Sequence, residues 1–296
     1  MLRCAASFVV AAYDKYASLL RLCAPCLRTF YKAVPKSTFC EGIMLESYLK
    51  NRLKERQILL MTHIVMGYPS FETSFRLIEA MVRAGVDLME LQIPFSEPVA
   101  DGPVILHANQ KALSAGATVQ QCLDMAQTAA QTFEIPFLFM SYYNILFKYG
   151  VERFTGEMAQ RGLSGAIVPD LPPEEGADYL SAMNMYNLSP IFIFSPTTSD
   201  ARMKMLASHA QGFVYCVARK GVTGLDTRFS EQLEAYLDRC RRATSLPLAL
   251  GFGVKDKADV DFLKGKADIA VIGTQTIRLM EQEGVESVGS FIAGLR

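Results

Sequence analysis

The stretch GVDLMELQIPFSEPVADGP at residues 85–103 decides the fold, because a short apolar strand ends here at a carboxylate. Glu90 closes the apolar run, and a proline-containing loop leads to a second acid, Asp101, eleven positions further along. A carboxylate at a strand end and an acid on the next loop favour an acid–base pair at the mouth of a barrel of parallel strands. A second interpretation stays open, in which both acids are solvated or cap the following helix.

Apolar runs alternate with helical periodicity along the chain after residue 44. We predict strands at 58–65, 86–91, 135–140, 165–169, 190–194, 212–217, 246–250 and 268–272. Helical patterns lie around them, for example at 45–56, 71–84 and 232–241. Strands that alternate with helices run parallel, and continuous apolar runs indicate a sheet covered on both faces. Eight such units predict an α/β fold, a single (β/α)8 TIM barrel.

An open, doubly wound α/β sheet is the alternative architecture. It would normally carry a glycine-rich nucleotide fingerprint after its first strand. The sequence has Gly67-Tyr68-Pro69 at that point, which is not such a fingerprint. The closed barrel is therefore the favoured prediction.

The composition argues against several classes of function. Lys and Arg together number 30, as do Asp and Glu, so the neutral chain has no overall attraction for nucleic acid or an anionic membrane. The longest apolar runs fall short of the ~18 residues that a membrane-spanning helix needs. Three of the seven cysteines, Cys122, Cys216 and Cys240, lie among apolar neighbours, which predicts buried thiols in a reduced, cytoplasmic protein.

Residues 1–43 are predicted to be an N-terminal extension to a barrel of residues 44–296. The first forty residues contain six basic side chains and one acid, Asp14. Scattered basic residues with few acids resemble a targeting segment. The alternative, which we favour, is an upstream extension from a misplaced start codon, because Met44 opens a regular helical pattern.

Glycine-containing loops follow the last three predicted strands. They are RKGVTG at 219–224, GFG at 251–253 and Gly273-Thr274. Barrels often bind phosphate with the loops after strands 7 and 8, where glycines allow close approach and a helix N-terminus adds positive potential. Each glycine alone could be a turn residue, but three such loops on one face predict a phosphorylated ligand.

These motifs together resemble the α subunit of tryptophan synthase, over residues 44–296. The matching motifs, in barrel order, are LQIPFSEPVADGP at 91–103, SYYN at 141–144, VPDLPPEE at 168–175, PIFIFSPTT at 190–198, RKGVTG at 219–224, GFGV at 251–254 and IGT at 272–274. The resemblance implies a carbon–carbon lyase of tryptophan biosynthesis that splits indole-3-glycerol phosphate into indole and glyceraldehyde 3-phosphate. It also implies a pyridoxal-phosphate-containing β subunit as partner, in an α2β2 heterotetramer, and no cofactor or metal in this chain.

The resemblance further implies roles for individual residues. Glu90 would be the acid–base group, with a pKa raised by apolar surroundings, and Asp101 would accept the indole N–H. Tyr215 would be a pocket residue, although core packing is an equally plain interpretation. Thr223 would hydrogen-bond Asp101 when its loop closes over the substrate. The phosphate would be bound by Gly224, Gly253, Gly273 and Thr274, of which Thr274 could instead cap its helix.

Several positions depart from the family pattern. Gln92 stands where the family usually has glycine, Glu97 where it has aspartate, His63 where it has an aromatic residue and Thr274 where it has serine. The acid pair is intact, but the efficiency of cleavage is in question. The alternative function is therefore a weakly active or non-catalytic barrel that mainly activates a β subunit. A free-standing lyase and a sugar-phosphate isomerase are further alternatives.

Overall fold

Eight parallel strands form a closed barrel in chain order, in a computed structural model that describes residues 44–99, 101–218, 227–251 and 253–296. The strands are β1 (Leu59–Val65), β2 (Leu88–Gln92), β3 (Phe137–Met140), β4 (Gly165–Ile167), β5 (Ser189–Phe194), β6 (Val214–Val217), β7 (Leu248–Gly251) and β8 (Ile269–Ile272). Each strand pairs in parallel with the next, and β8 pairs with β1. The predicted (β/α)8 barrel is confirmed.

Twelve helices surround these strands in the described part of the chain. They are α1 (Leu45–Glu55), α2 (Phe71–Arg83), α3 (Pro103–Ser114), α4 (Val119–Thr132), α5 (Tyr143–Tyr149), α6 (Val151–Gln160), α7 (Ala177–Met185), α8 (Asp200–His209), α9 (Thr227–Ala243), α10 (Lys257–Leu263), α11 (Thr274–Glu283) and α12 (Val285–Gly294). The predicted alternation of strand and helix is confirmed, with two helices rather than one after β2, β3 and β8.

The boundaries of β2 differ from the prediction in a way that matters for the site. The strand was predicted over 86–91, but it spans Leu88–Gln92. Gln92 pairs with Val65 of β1 and Met140 of β3, so the ladder continues one residue past the predicted end. Its side chain therefore belongs to the barrel wall and not to the following loop.

Alternation along the strands separates two layers of core. Leu59 and Met61 of β1 and Leu88 of β2 belong to an apolar cluster inside the barrel, whereas their neighbours face the helices. Successive residues point to opposite faces, so the next inward positions are His63, Glu90 and Gln92. Polar side chains thus begin where the apolar interior ends, near the carboxyl ends of β1 and β2.

A buried carboxylate ties the opposite end of the barrel together. The side chain of Asp87, just before β2, is fully buried and forms ion pairs with Arg52 (3.1 Å), Arg56 (3.3 Å) and Arg296. The backbone N–H of Leu60 donates a further hydrogen bond to it at 2.9 Å. One acid therefore connects α1, β1, β2 and the residues after α12.

Some predictions fall on residues that the structure does not describe. The extension at 1–43 and the motif at 219–224 lie outside the described residues, so the boundary at residue 44 stays a prediction. Within the described ranges, every helix is too short or too polar to cross a membrane.

Replacing Asp87 with alanine is expected to lower the free energy of unfolding by about 2–4 kcal/mol, because three guanidinium groups lose a shared buried counterion while keeping some access to water. Urea denaturation measures this change. The control is Arg76→Ala, which removes only an exposed ion pair with Glu286 (2.7 Å) and is expected to change stability by less than about 1 kcal/mol. Equal effects of the two substitutions would contradict a structural role for Asp87.

Candidate active site

A cavity of about 360 Å³ lies at the carboxyl ends of the strands. This volume is in the usual range for a small-molecule site. The predicted site residues that line it are Glu90, Asp101, Tyr215, Gly253, Gly273 and Thr274. The remaining two, Thr223 and Gly224, lie outside the described residues. Residues far apart in the sequence therefore meet in one cavity.

Much of the cavity wall is apolar. The apolar residues that line it come from strand ends and the segments that follow them: Ile105, Met140, Ile167, Pro169, Ile193, Val217, Val254 and Val271. Such a wall favours a flat, apolar ring over a sugar or another fully hydroxylated ligand, because ring burial releases water from apolar surface.

Glu90 is buried in this wall, with 4% of its surface exposed. It lies on β2 beside His63 of β1 and Leu138 of β3. Burial raises the pKa of its carboxyl to about 7; His63 opposes this rise and the negative charge of Asp101 adds to it. Its Oε2 atom has no hydrogen-bond partner among the described residues. Such a group can both donate and accept a proton near neutral pH.

The loop that carries Asp101 is fixed at both ends. Pro94 follows β2 and has no N–H to continue the strand ladder, while Pro103 occupies the first turn of α3, where a missing N–H costs nothing. Between them, the ring of Phe95 stacks on the buried ring of Tyr142, with centroids 5.0 Å apart. The acid is therefore placed by local sequence as well as by the barrel.

Two amides orient the Asp101 carboxylate. Gln92 Nε2 donates to Oδ2 at 2.6 Å, and Asn109 Nδ2 donates to the same oxygen at 3.3 Å. Gln92 Oε1 lies 2.7 Å from His63 Nε2, and Asn109 Oδ1 accepts from the backbone N–H of Phe95 at 3.0 Å. Sequence reasoning missed Asn109. Its signal was a lone amide on the buried face of a helix that begins just after the acid.

Tyr215 of β6 is both a core residue and a pocket residue, the two interpretations that the sequence left open. Its ring packs against the apolar cluster inside the barrel, and the residue also lines the cavity. Burial, with smaller contributions from Glu90 and Asp101, raises the pKa of its hydroxyl well above the usual value. Gly251 of β7 gives the ring room, since a Cβ there would lie 3.1 Å from it. The hydroxyl therefore stays protonated and can donate a hydrogen bond to a ligand.

The last strands provide the features expected of an anion site. Gly273 precedes α11, whose first N–H groups have no partner within the helix, and Thr274 is its first residue. Gly253 has a φ of 88°, a conformation that favours glycine. Sequence reasoning missed two exposed cations that line the same cavity, Lys255 and Arg278. Arg278 lies one turn after Thr274 on α11, and this i,i+4 spacing was the available signal.

Comparison with known sequences identifies one family. The sequence profile described as tryptophan synthase alpha chain matches residues 49–290. The tryptophan synthase alpha chain of Desulforapulum autotrophicum is 68% identical over 252 residues, which are 85% of this chain and 100% of that protein. The corresponding protein of Syntrophotalea carbinolica is 64% identical over 253 residues, with coverages of 86% and 100%.

Solved structures agree with these sequence matches. Tryptophan synthase from Mycobacterium tuberculosis superposes with a TM-score of 0.79 at 27% identity, covering 88% of this chain and 97% of that chain. The tryptophan synthase alpha subunit of Legionella pneumophila gives a TM-score of 0.78 at 29% identity, with coverages of 85% and 96%.

The raised pKa of Glu90 predicts a pH-dependent effect of Glu90→Gln on stability. The carboxyl has a pKa of 4.5 when unperturbed and about 7 in the folded protein, so its contribution to stability is complete below pH 4.5 and is lost as pH rises through 7. Glutamine does not ionise. Relative to wild type, the variant is therefore expected to gain up to about 3 kcal/mol of unfolding free energy between about pH 5 and pH 8.

Urea denaturation of both proteins across this pH range measures the gain. Glu72→Gln, at an exposed position on α2, is the control, and its difference from wild type should stay within about 0.5 kcal/mol throughout. A difference between wild type and Glu90→Gln that did not vary with pH would mean that the folded protein does not bury this carboxyl.

Proposed function

The chain belongs to the tryptophan synthase alpha chain family, and we propose that it cleaves indole-3-glycerol phosphate to indole and glyceraldehyde 3-phosphate at the cavity described above. The observation that carries the site assignment is the meeting of three features in one cavity: a buried acid of near-neutral pKa, a second carboxylate oriented by amides and the N-terminus of α11. The reaction is that of a carbon–carbon lyase in tryptophan biosynthesis.

Glu90 supplies both proton transfers of the reaction. In its protonated form it donates a proton to C3 of the indole ring, which gives a cationic C2=N bond. The resulting carboxylate then removes the proton of the glycerol hydroxyl next to C3. The O–H electron pair forms the C=O bond of the aldehyde as the C3–carbon bond breaks. The electron pair of that bond restores the C2=C3 double bond, and the π pair of the C2=N bond returns to the ring nitrogen, which becomes neutral. A carboxyl with a pKa of about 7 is suited to both steps.

Asp101 stabilises the charge that develops on the ring. Its carboxylate accepts the ring N–H, and this hydrogen bond strengthens as the nitrogen becomes positive after C3 is protonated. Tyr215 contributes ring surface and a hydroxyl donor beside the two acids. Thr223, outside the described residues, is proposed to contact Asp101 from the strand-6 loop.

The phosphate binds at the opposite side of the reacting bond from the ring. Main-chain N–H groups at Gly253, Gly273 and Thr274 are proposed to bind it, with Gly224 of the strand-6 loop. Arg278 adds a positive charge that sequence reasoning did not include. The backbone N–H groups fix the position of the phosphate. The Arg278 side chain strengthens phosphate binding but takes no part in the proton transfers or bond cleavage.

Members of this family function with a β subunit, and we propose that this chain does so in a tetramer of two α and two β subunits. Val99 and Phe147 are among the few large apolar side chains that are strongly exposed in the described residues. They lie on the segments that follow β2 and β3, at the end of the barrel where the cavity opens, and Glu97, two positions before Val99, is also exposed. Exposed apolar side chains at this end favour an interface with the β subunit, into which the indole product would pass.

A cytoplasmic location is proposed on the chemistry of the thiols. Cys122, Cys216 and Cys240 are buried and form no disulfide. Buried free thiols are typical of proteins kept in a reducing compartment.

Glu90→Gln is expected to lower kcat for cleavage by about 10²–10⁴-fold, because the amide can neither donate nor accept the transferred protons. Binding of glycerol 3-phosphate should persist. Indole release is measured with the purified chain alone and with a β subunit, and Glu72→Gln serves as the control. Wild-type turnover in Glu90→Gln would refute the assignment of the acid. A wild-type protein that raised β-subunit activity without cleaving substrate would instead support the non-catalytic alternative.

Arg278→Met is expected to raise KM by about three- to tenfold with little change in kcat, because a charge that contacts the phosphate equally in the ground and transition states contributes uniform binding. Steady-state kinetics of indole release measure both constants. Arg83→Met, at the last position of α2 and outside the cavity lining, is the matched control. An unchanged KM would exclude contact between Arg278 and the phosphate.

A further inference from the structure

The side chains of His63, Gln92 and Asp101 form a continuous hydrogen-bonded chain at the cavity. His63 Nε2 lies 2.7 Å from Gln92 Oε1, and Gln92 Nε2 lies 2.6 Å from Asp101 Oδ2. His63 is 5% exposed and Gln92 is completely buried, while His63 and Asp101 both line the cavity. The chain thus links β1, β2 and the loop before α3 through side chains alone.

Chemistry fixes the direction of every hydrogen bond in this chain. An ionised carboxylate only accepts hydrogen bonds, so Gln92 must present its NH2 group to Asp101. Its carbonyl oxygen then faces His63, which must carry a proton on Nε2 in order to donate. No flip of the Gln92 amide satisfies both neighbours at once. The arrangement is therefore a single state and not one of two equivalent states.

The donors to Asp101 leave one of its oxygens for a ligand. Gln92 and Asn109 both donate to Oδ2. Within the described ranges, no hydrogen bond reaches Oδ1. Two hydrogen bonds to Oδ2 hold the carboxylate in one orientation. The direction from which Oδ1 can accept a hydrogen bond is therefore fixed before any ligand binds. Pre-set geometry of this kind lowers the entropic cost of forming the bond to the ligand.

A role in simple packing does not explain Gln92. A buried amide is costly unless its donor and acceptor are paired, and an aliphatic side chain of similar size would fill the same space without that requirement. Both ends of the Gln92 amide are paired, and both partners line the cavity. The hydrogen-bond partners of the Gln92 amide are therefore two residues of the candidate active site, and neither is a residue of the surrounding core.

We propose that Gln92, oriented by His63, is a positioning residue that makes Asp101 Oδ1 select ligands with a ring N–H donor over ligands of the same shape without one. This inference deepens the proposed function and rests on it, since it assumes that the indole ring binds in this cavity. It assigns specificity to two positions that depart from the family pattern, and it leaves the proton transfers to Glu90.

The test compares two non-cleavable probes: indole with a propyl phosphate at C3, and the benzofuran counterpart, in which a ring oxygen replaces N–H. The wild-type chain, titrated calorimetrically, is expected to prefer the indole probe by about tenfold or more, the usual effect of a hydrogen bond to a charged group. Gln92→Met keeps length and volume but forms no such hydrogen bonds. It should reduce this preference about three- to tenfold through weaker binding of the indole probe alone.

Two further variants keep the experiment decisive. Thr62→Val replaces a buried hydroxyl on β1 that has no hydrogen-bond partner in the described part of the chain. Thr62 is next to His63 in sequence, and the substitution should leave the preference unchanged. His63→Phe, which removes the anchor of the Gln92 carbonyl, should reduce the preference in the same direction but by less. Glycerol 3-phosphate binding checks that each variant is folded.

The outcomes separate the inference from the proposed function. An unchanged preference in Gln92→Met would overturn the inference, and so would an equal loss of affinity for both probes, which is the mark of a purely structural role. A wild-type protein without any preference would overturn the role of Asp101 and the inference together. Failure of the proposed function shows separately, as absence of indole release from indole-3-glycerol phosphate by the wild-type chain.

Discussion

The alternation of side chains along strands in a closed barrel decides which residues meet in this protein. β1 and β2 pair with His63 beside Glu90, and both residues continue the inward series begun by Met61 and Leu88. A slip of one residue would turn Glu90 toward the helices and end its contact with the cavity. The apolar cluster inside the barrel also accounts for the raised pKa of Glu90, because a carboxyl that is buried against apolar side chains loses its hydration.

Two buried carboxyls three positions apart serve opposite purposes. Asp87, at the end of the barrel away from the cavity, is paired with guanidinium groups and a backbone N–H, so its buried charge is compensated and its removal would leave those partners unpaired. Glu90, nearer the end with the cavity, has a buried oxygen without a hydrogen-bond partner among the described residues. An unpaired buried oxygen lowers stability but leaves the group free to exchange a proton. The division agrees with the general rule that barrels place stability at one end and chemistry at the other.

Local patterns in the sequence predicted the fold and brought Glu90, Asp101, Gly253 and Gly273 to one end of the barrel, where they line one cavity, because periodicity and strand-end motifs need no knowledge of distant partners. They did not predict the hydrogen bonds that Gln92 forms. The sequence marks the residue only as a departure from the family pattern, and the strand predicted over 86–91 ends one position early. Its partner His63 lies 29 residues away on a neighbouring strand. Asn109 and Arg278 were missed for a related reason, since only the folded helices bring Asn109 to Asp101 and Arg278 to the cavity.

Physically, the departures at His63 and Gln92 are one change and not two. With glycine at position 92, the Nε2 proton of His63 would lose its acceptor, and without His63 the carbonyl of Gln92 would be buried unpaired. Together each satisfies the other, and the remaining amide donor reaches Asp101. The Gln92 amide is thus paired at both ends, whereas the buried Nδ1 of His63 has no hydrogen-bond partner among the described residues. The rest of the cavity wall is largely apolar, so the pair is compatible with the proposed binding and cleavage of an indole substrate.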